Sequence, residues 1–339
     1  MKKALLYLLL PVFMIGISCN RQPSGTVSEE INTSESSSTG LDGITALINK
    51  DTSNAILYQQ RAMIYLSQRD HNKAMRDMLA AIQLDPGNAS YLLTLSDIYL
   101  SMGLLDNCAE SLNKALELDP ENTESMLKLS EIHLIRKNYR EAIENADKAI
   151  IVDKSNPLPY FIKGYIFAEA GDTVNAIKSY LEAIDRNQEY YDAYMQLGLI
   201  YSTVGNHIAI DYFNNALNIN PQSIEAIYAL AMFYQQAGDA ENAIAAYNKL
   251  ILLDPQNVYA NYNLGYVHLV LMGDFEQAIG FFDKALALKP DYFEAIYNLG
   301  YCYELLGDYD MARNLYKDVL ELEVNYEKAI AGLNRIYGK

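Results

Sequence analysis

Tryptophan is absent from this chain, and cysteine occurs only three times in 339 residues. Cys19, Cys108 and Cys302 show no CxxC spacing; Cys108 and Cys302, 194 residues apart inside helical patterns, read as packing residues, and neither a structural disulfide nor a redox pair is indicated. Basic residues are scarce: 26 Lys and Arg stand against 43 Asp and Glu, for a formal charge of −17. A polyanion of this kind repels phosphate backbones, so the charge balance argues against nucleic-acid binding. No HExxH, GxSxG, GxGxxG or P-loop pattern is present. The four histidines, His71, His133, His207 and His268, never stand three or four residues apart, as a helical metal site requires. Carboxylate pairs are common in so acidic a chain and carry no inference. Neither a catalytic centre nor a metal or other cofactor is therefore expected.

What is present begins with a leader. Lys2 and Lys3 precede an apolar run, Ala4 to Ile17, interrupted by Pro11. It is shorter than the roughly 20 residues that span a bilayer but suits a signal peptide. The run ends in Gly16-Ile17-Ser18-Cys19, followed by polar residues. This resembles the lipobox of bacterial lipoproteins, and departs from it at Gly16, where that family prefers Leu. The resemblance implies cleavage after residue 18, lipidation of Cys19 and attachment to the cell envelope. Asn20 stands where Asp would mark inner-membrane retention, which favours the outer membrane, facing the periplasm. An ordinary secretory signal followed by an unrelated cysteine is the other reading of these residues. Residues 19–40, rich in Ser, Thr, Glu, Asn and Gly, are expected to be a flexible tether.

From Ala55 the chain repeats. Pro86, Pro120, Pro221, Pro255 and Pro290 recur at intervals of 34, 101, 34 and 35 residues, and 101 is close to three periods of 34. Each period holds two helical patterns separated by a turn glycine: Gly103, Gly171, Gly205, Gly238, Gly273 or Gly307. Arg69 and Lys137 occupy two of these turns instead. The first helix, A, carries a small residue at Ala62, Ser96, Ser130, Gly164, Gly198, Ala231, Gly265 and Gly300. The second, B, carries small residues at Ala74 and Ala81 and at equivalent places onward, with Cys108, Leu250 and Val319 as exceptions. Helices approach closely only where side chains are small, and bulky neighbours fill the flanks. One residue is missing after Gly205, and one is inserted before Gly273.

These residue types and this period resemble the tetratricopeptide repeat over residues 55–326, eight units in all. The resemblance implies an all-α fold, an α-solenoid of helix-turn-helix repeats forming a right-handed superhelix. Residues 41–54, with Ile44, Leu47 and Ile48 at helical spacing, are expected to cap its start. Residues 327–339 are expected to cap its end, with Ile330, Leu333 and Tyr337 inward and Lys328, Asn334 and Arg335 outward.

In such repeats the inner wall is lined by particular helix A positions. Mapped here, these are Phe161, Tyr165, Tyr228, Tyr262, Tyr266, Tyr297 and Tyr301, with Asp97 and Glu131 in earlier repeats. Tyrosine offers area and a hydroxyl at low entropic cost, though some of the 28 tyrosines will pack against neighbouring helices. The Lys/Arg/Asn clamp that some family members use on a terminal carboxylate is absent: Gln59, Met63, Leu93, Thr94, Asp97 and Glu124 hold its places. His133 and His268 fall at the helix A aromatic position, so core packing is the expectation for them. The repeats occupy the whole folded region, which implies a non-enzymatic scaffold with protein or peptide partners. Glycan or small-ligand binding on the tyrosines is the alternative.

Overall fold

The computed structural model describes residues 40–339, so the expected leader, the lipidated Cys19 and all but the last residue of the tether lie outside the described residues. Eighteen helices follow: α1 (Leu41–Lys50), α2 (Ala55–Ser67), α3 (His71–Leu84), α4 (Ala89–Ser101), α5 (Leu105–Leu118), α6 (Thr123–Ile135), α7 (Tyr139–Val152), α8 (Pro157–Glu169) and α9 (Thr173–Arg186), then α10 (Tyr191–Thr203), α11 (Ile208–Ile219), α12 (Ile224–Ala237), α13 (Ala240–Leu253), α14 (Val258–Val267), α15 (Phe275–Leu288), α16 (Phe293–Leu306), α17 (Tyr309–Leu322) and α18 (Glu327–Arg335). Even-numbered helices from α2 to α16 are the A members of eight pairs. No strand occurs among the described residues. The chain divides between Ser179 and Tyr180, inside α9, into two compact units.

The turns inside each pair show why the punctuation residues are needed. Glycines 103, 171, 205, 238, 273 and 307 all adopt φ between 66 and 85°. Arg69 and Lys137 hold the same left-handed conformation at 60° and 59°, with the strain a Cβ brings. In the first turn Arg69 N–H donates to the Leu66 carbonyl and Asp70 N–H to the Tyr65 carbonyl, 2.9 and 2.8 Å, which satisfies the last orphan acceptors of α2. The residue inserted before Gly273 is absorbed as a π-helical turn, His268–Met272, continuing α14.

Packing in the first unit runs through small residues on both helices. Ala62, Ala74, Ala81, Ser96, Ala115, Ser130, Ala142 and Ala149 expose nothing to solvent. The second unit instead inserts rings: Phe213, Tyr247, Phe282 and Tyr316, from successive B helices, are fully buried. A Cβ added at Gly198 would lie 2.5 Å from Phe213, and one at Gly265 2.7 Å from Phe282. The glycines are there because the rings are. Burying each ring contributes about 1.5–3 kcal/mol, which exceeds the roughly 0.5–1 kcal/mol that glycine costs inside a helix.

At the start, Ile44 and Ile48 of α1 are buried against α2, while Leu47 is 39% exposed. At the end, the expected face of α18 is rotated. Ala329, Gly332 and Ile336 are buried, whereas Ile330 and Tyr337 are exposed at 41% and 90%. The reason is again close approach: a Cβ at Gly332 would meet the Tyr316 ring at 2.5 Å, so α18 turns its smallest residues inward. Arg335, expected to point outward, reaches back to Glu304 with bonds of 2.7 and 2.9 Å.

Candidate functional site

Helix A residues at i, i+3 and i+7 share one face. In the second unit these triads read Glu225/Tyr228/Met232 on α12, Tyr259/Tyr262/Tyr266 on α14 and Glu294/Tyr297/Tyr301 on α16. Tyr228, Tyr262, Tyr266, Tyr297 and Tyr301 are all half-buried.

The wall is tied from helix to helix by asparagines. Asn263 Nδ2 donates to the Tyr228 hydroxyl at 3.2 Å, and Asn298 Nδ2 to the Tyr262 hydroxyl at 3.0 Å. Both amides are more than nine-tenths buried, so each bond also removes a buried polar group from want of a partner. Burial pushes the Tyr262 phenol up to about 12, so it stays neutral and keeps its proton to donate. Tyr297 stacks on Tyr301 and on Tyr316, with centroids 6.3 and 5.6 Å apart. Arg335 covers Tyr301 at 5.5 Å, and Lys328 stands 5.9 Å from the Tyr297 centroid. These asparagines and the Glu304–Arg335 pair were not anticipated. The signal was available: Asn263 and Asn298 each follow a wall tyrosine at one repeat's spacing.

In the first unit the same face is ionic. Lys128 binds Asp97 across from α6 to α4 and reaches Glu124 at 3.1 Å. Burial holds Asp97 above the usual carboxylate range, outweighing the attraction of Lys128. Glu131 is pushed up to about 7, chiefly by burial, with Lys128 opposing and Asp97 adding to the rise. Asp97 and Glu131 are thus brought together around Lys128, a residue outside the expected wall positions. Tyr165 is half-buried on α8. Phe161 is a correction: it exposes nothing, because its helix turns this position into the core, and it offers a ligand no surface.

Cys108 and Cys302 are buried free thiols, pushed up to about 11 and 12 by desolvation, which suits packing rather than reactivity. His268 stacks on Phe281 at 5.3 Å, and the Nδ1 atoms of His133 and His268 are buried without a hydrogen bond, as in a packing role. No cluster among the described residues could hold a metal ion, and no described helix is long and apolar enough to cross a membrane.

Profiles described as tetratricopeptide repeat match residues 55–88, 89–122, 159–190 and 191–223, then 228–293, then 269–336. Together they cover more than half of the chain. The ycf37 protein of Pyropia yezoensis is 32% identical over 105 residues, 30% of this chain and 56% of that one. Anaphase-promoting complex subunit 3 of Schizosaccharomyces pombe is 26% identical over 113 residues, 33% of this chain and 17% of that protein. The chain thus spans about half the length of the first relative and a small part of the second. Among solved structures, the C-terminal part of a TPR repeat-containing protein from Cytophaga hutchinsonii is 18% identical with a TM-score of 0.52, covering 80% of this chain and 98% of that one. That likeness shows the fold alone. With matching profiles, eight A/B pairs and turn residues in register, the chain belongs to the tetratricopeptide repeat family.

Proposed function

We propose that this protein is a non-catalytic scaffold that holds partner proteins or extended peptides against its helix A faces, tethered to the bacterial cell envelope through lipidated Cys19. The observation that carries the reading is the fixed tyrosine wall of the second unit. Its rings are held by Asn263, Asn298 and ring stacking before any partner arrives. Pre-ordered aromatic side chains lose little entropy on binding and tend to dominate interface energies. Family membership supports it, since tetratricopeptide repeats generally mediate protein–protein interactions, and one relative is by name a subunit of the anaphase-promoting complex. Membership alone does not choose a partner.

Crosslinking in cells, followed by affinity capture from membranes, tests the reading. It predicts specific partner proteins that disappear when Tyr262 and Tyr266 are both changed to Ala; capture that is unchanged by that variant would contradict it. Anchoring is tested separately: Cys19→Ala should lose covalent lipid and move to the soluble fraction, and a variant that stays membrane-bound rules the anchor out.

One feature favours a second reading. A shallow cavity of about 380 Å³ is lined by Gln188, Glu189, Tyr194, Asn215, Asn218 and Ile219. Its amides, carboxylate and single ring are groups that bind a neutral polar ligand such as a saccharide. Titrating simple oligosaccharides while following the amide signals of Asn215 and Asn218 decides it.

A further inference from the structure

The shallow cavity beside α10 and α11 opens onto a row of rings. Tyr194, which lines it, stands seven residues before Tyr201, so both side chains lie on one face of α10. Tyr212, Asn215 and Ile219 share a face of α11 in the same way. The two faces meet. Tyr212 stacks on Tyr201 with centroids 5.4 Å apart and planes 7° from parallel, and its ring lies 6.5 Å from that of Tyr194. All three tyrosines are half-buried, so the row keeps some ring surface open to solvent. From Tyr194 to Tyr201 it runs about 10 Å along α10, longer than a single hexose.

Two features separate this row from the helix A wall. It lies on another face, since the wall positions of α10 hold Asp192, Met195 and Leu199. Its polar groups are also uncommitted. The hydroxyls of Tyr228 and Tyr262 are held by Asn263 and Asn298. Among the described residues, no hydrogen bond engages the hydroxyls of Tyr194, Tyr201 or Tyr212, or the side-chain amides of Gln188, Asn215 and Asn218. The rings are nonetheless fixed from beneath: Tyr194 and Tyr201 pack against the core around Phe213.

Charge narrows the ligand. Just before the second small site of helix B, α5, α7, α13 and α15 carry Lys114, Lys148, Lys249 and Lys284, whereas α11 carries Asn215. Between Asn187 and Asn248 there is no lysine or arginine to pair with an acidic group. Glu189 in the cavity and Asp211 beside Tyr212 would repel one. Side-chain amides donate and accept together, as sugar hydroxyls do, and a tyrosine face takes the C–H face of a pyranose. We propose that this face binds an uncharged oligosaccharide. One sugar seats among Gln188, Glu189, Asn215 and Asn218, and the chain runs out over Tyr212 toward Tyr201. This rests on the second reading above and names its ligand as a chain rather than a single sugar.

The test is calorimetry of the full chain with malto-, cello- and manno-oligosaccharides of increasing length, and with oligogalacturonates as the acidic control. At least one neutral series should bind and the acidic one should not. Affinity should rise at least about threefold from monosaccharide to trisaccharide, the value of one further ring contact. Tyr201→Ala should abolish that gain, and Tyr212→Ala should weaken the trisaccharide at least about threefold. Asn215→Lys, which restores the lysine of other repeats at an exposed position, should weaken the neutral series and admit the acidic one. Circular dichroism checks that each variant folds. Affinity that does not grow beyond one sugar, with Tyr201→Ala binding like the parent, overturns the row while leaving the cavity reading intact. No binding in any series, a preference for the acidic one, or indifference of a bound neutral series to all three substitutions overturns both.

Discussion

The two units solve the same packing problem with different chemistry. In the first, A and B helices meet through alanine and serine, with Met78, Leu112 and Ala146 between them, and charged groups pair across neighbouring helices. In the second, aromatic B residues enter notches left by Gly198, Gly265 and Gly300, and neutral tyrosine–asparagine bonds link successive A helices. One repeat geometry is therefore compatible with an ionic wall or an aromatic one. The backbone is set by small residues at the crossings, while the wall positions are free to be chosen for a partner.

The contrast predicts where each unit breaks. Arg61 and Asp77 form a two-pronged pair at 2.7 and 2.8 Å, and their side chains are only 16% and 7% exposed. Asp77→Ala leaves the guanidinium without its partner and should cost about 3 kcal/mol. Replacing both by apolar residues of similar size should be nearly neutral. Chemical denaturation of the two variants checks this.

A smaller loss is expected in the second unit, where Gly265→Leu overfills the notch against Phe282 and should cost about 1–3 kcal/mol. Hydrogen exchange should show lost protection in α14 and α15, fading toward the first unit, because repeats touch only their neighbours. Uniform loss along the chain would contradict that linearity. Asn298→Ala removes the donor to Tyr262 and should cost about 1 kcal/mol, with the Tyr262 phenol titrating differently in a pH-dependent absorbance scan.

A pH-dependent effect belongs to Glu131. Its carboxyl is raised from an ordinary 4.5 to about 7, so the fold favours the protonated form. The stability this supplies is complete below about 4.5 and is lost as pH rises through 7. Glu131→Gln should therefore melt higher than the parent at pH 8, and the two should converge toward pH 4.5. A difference that does not change with pH would show that Glu131 is not titrating in this window.

Much of the fold was legible because the constraints are local and periodic. Turn glycines, inter-repeat prolines and the small residues at the crossings each answer a steric demand that recurs every 34 residues. What escaped was contact between repeats. Lys128 reaches Asp97 across 31 residues and Arg335 reaches Glu304 across the same separation, pairings visible only after two helices are laid side by side. Phe161 sits on the position that holds Tyr228 and Tyr262 elsewhere, yet packs inward, since a ring with no hydroxyl gains nothing from facing water. The last helix presents a different face from the one its apolar spacing suggests, because its smallest residues, Ala329 and Gly332, outrank Ile330 and Tyr337 where Tyr316 must be accommodated.

The claim that the second unit's aromatic wall is the contact surface can be tested by placing a photocrosslinking amino acid at Tyr266 and, in separate proteins, at Asp97 and Glu131. Irradiation in cells is predicted to join a partner protein to the chain from position 266 far more than from 97 or 131. Crosslinks arising only from the first unit's positions would contradict the account and move the partner to the ionic wall around Lys128.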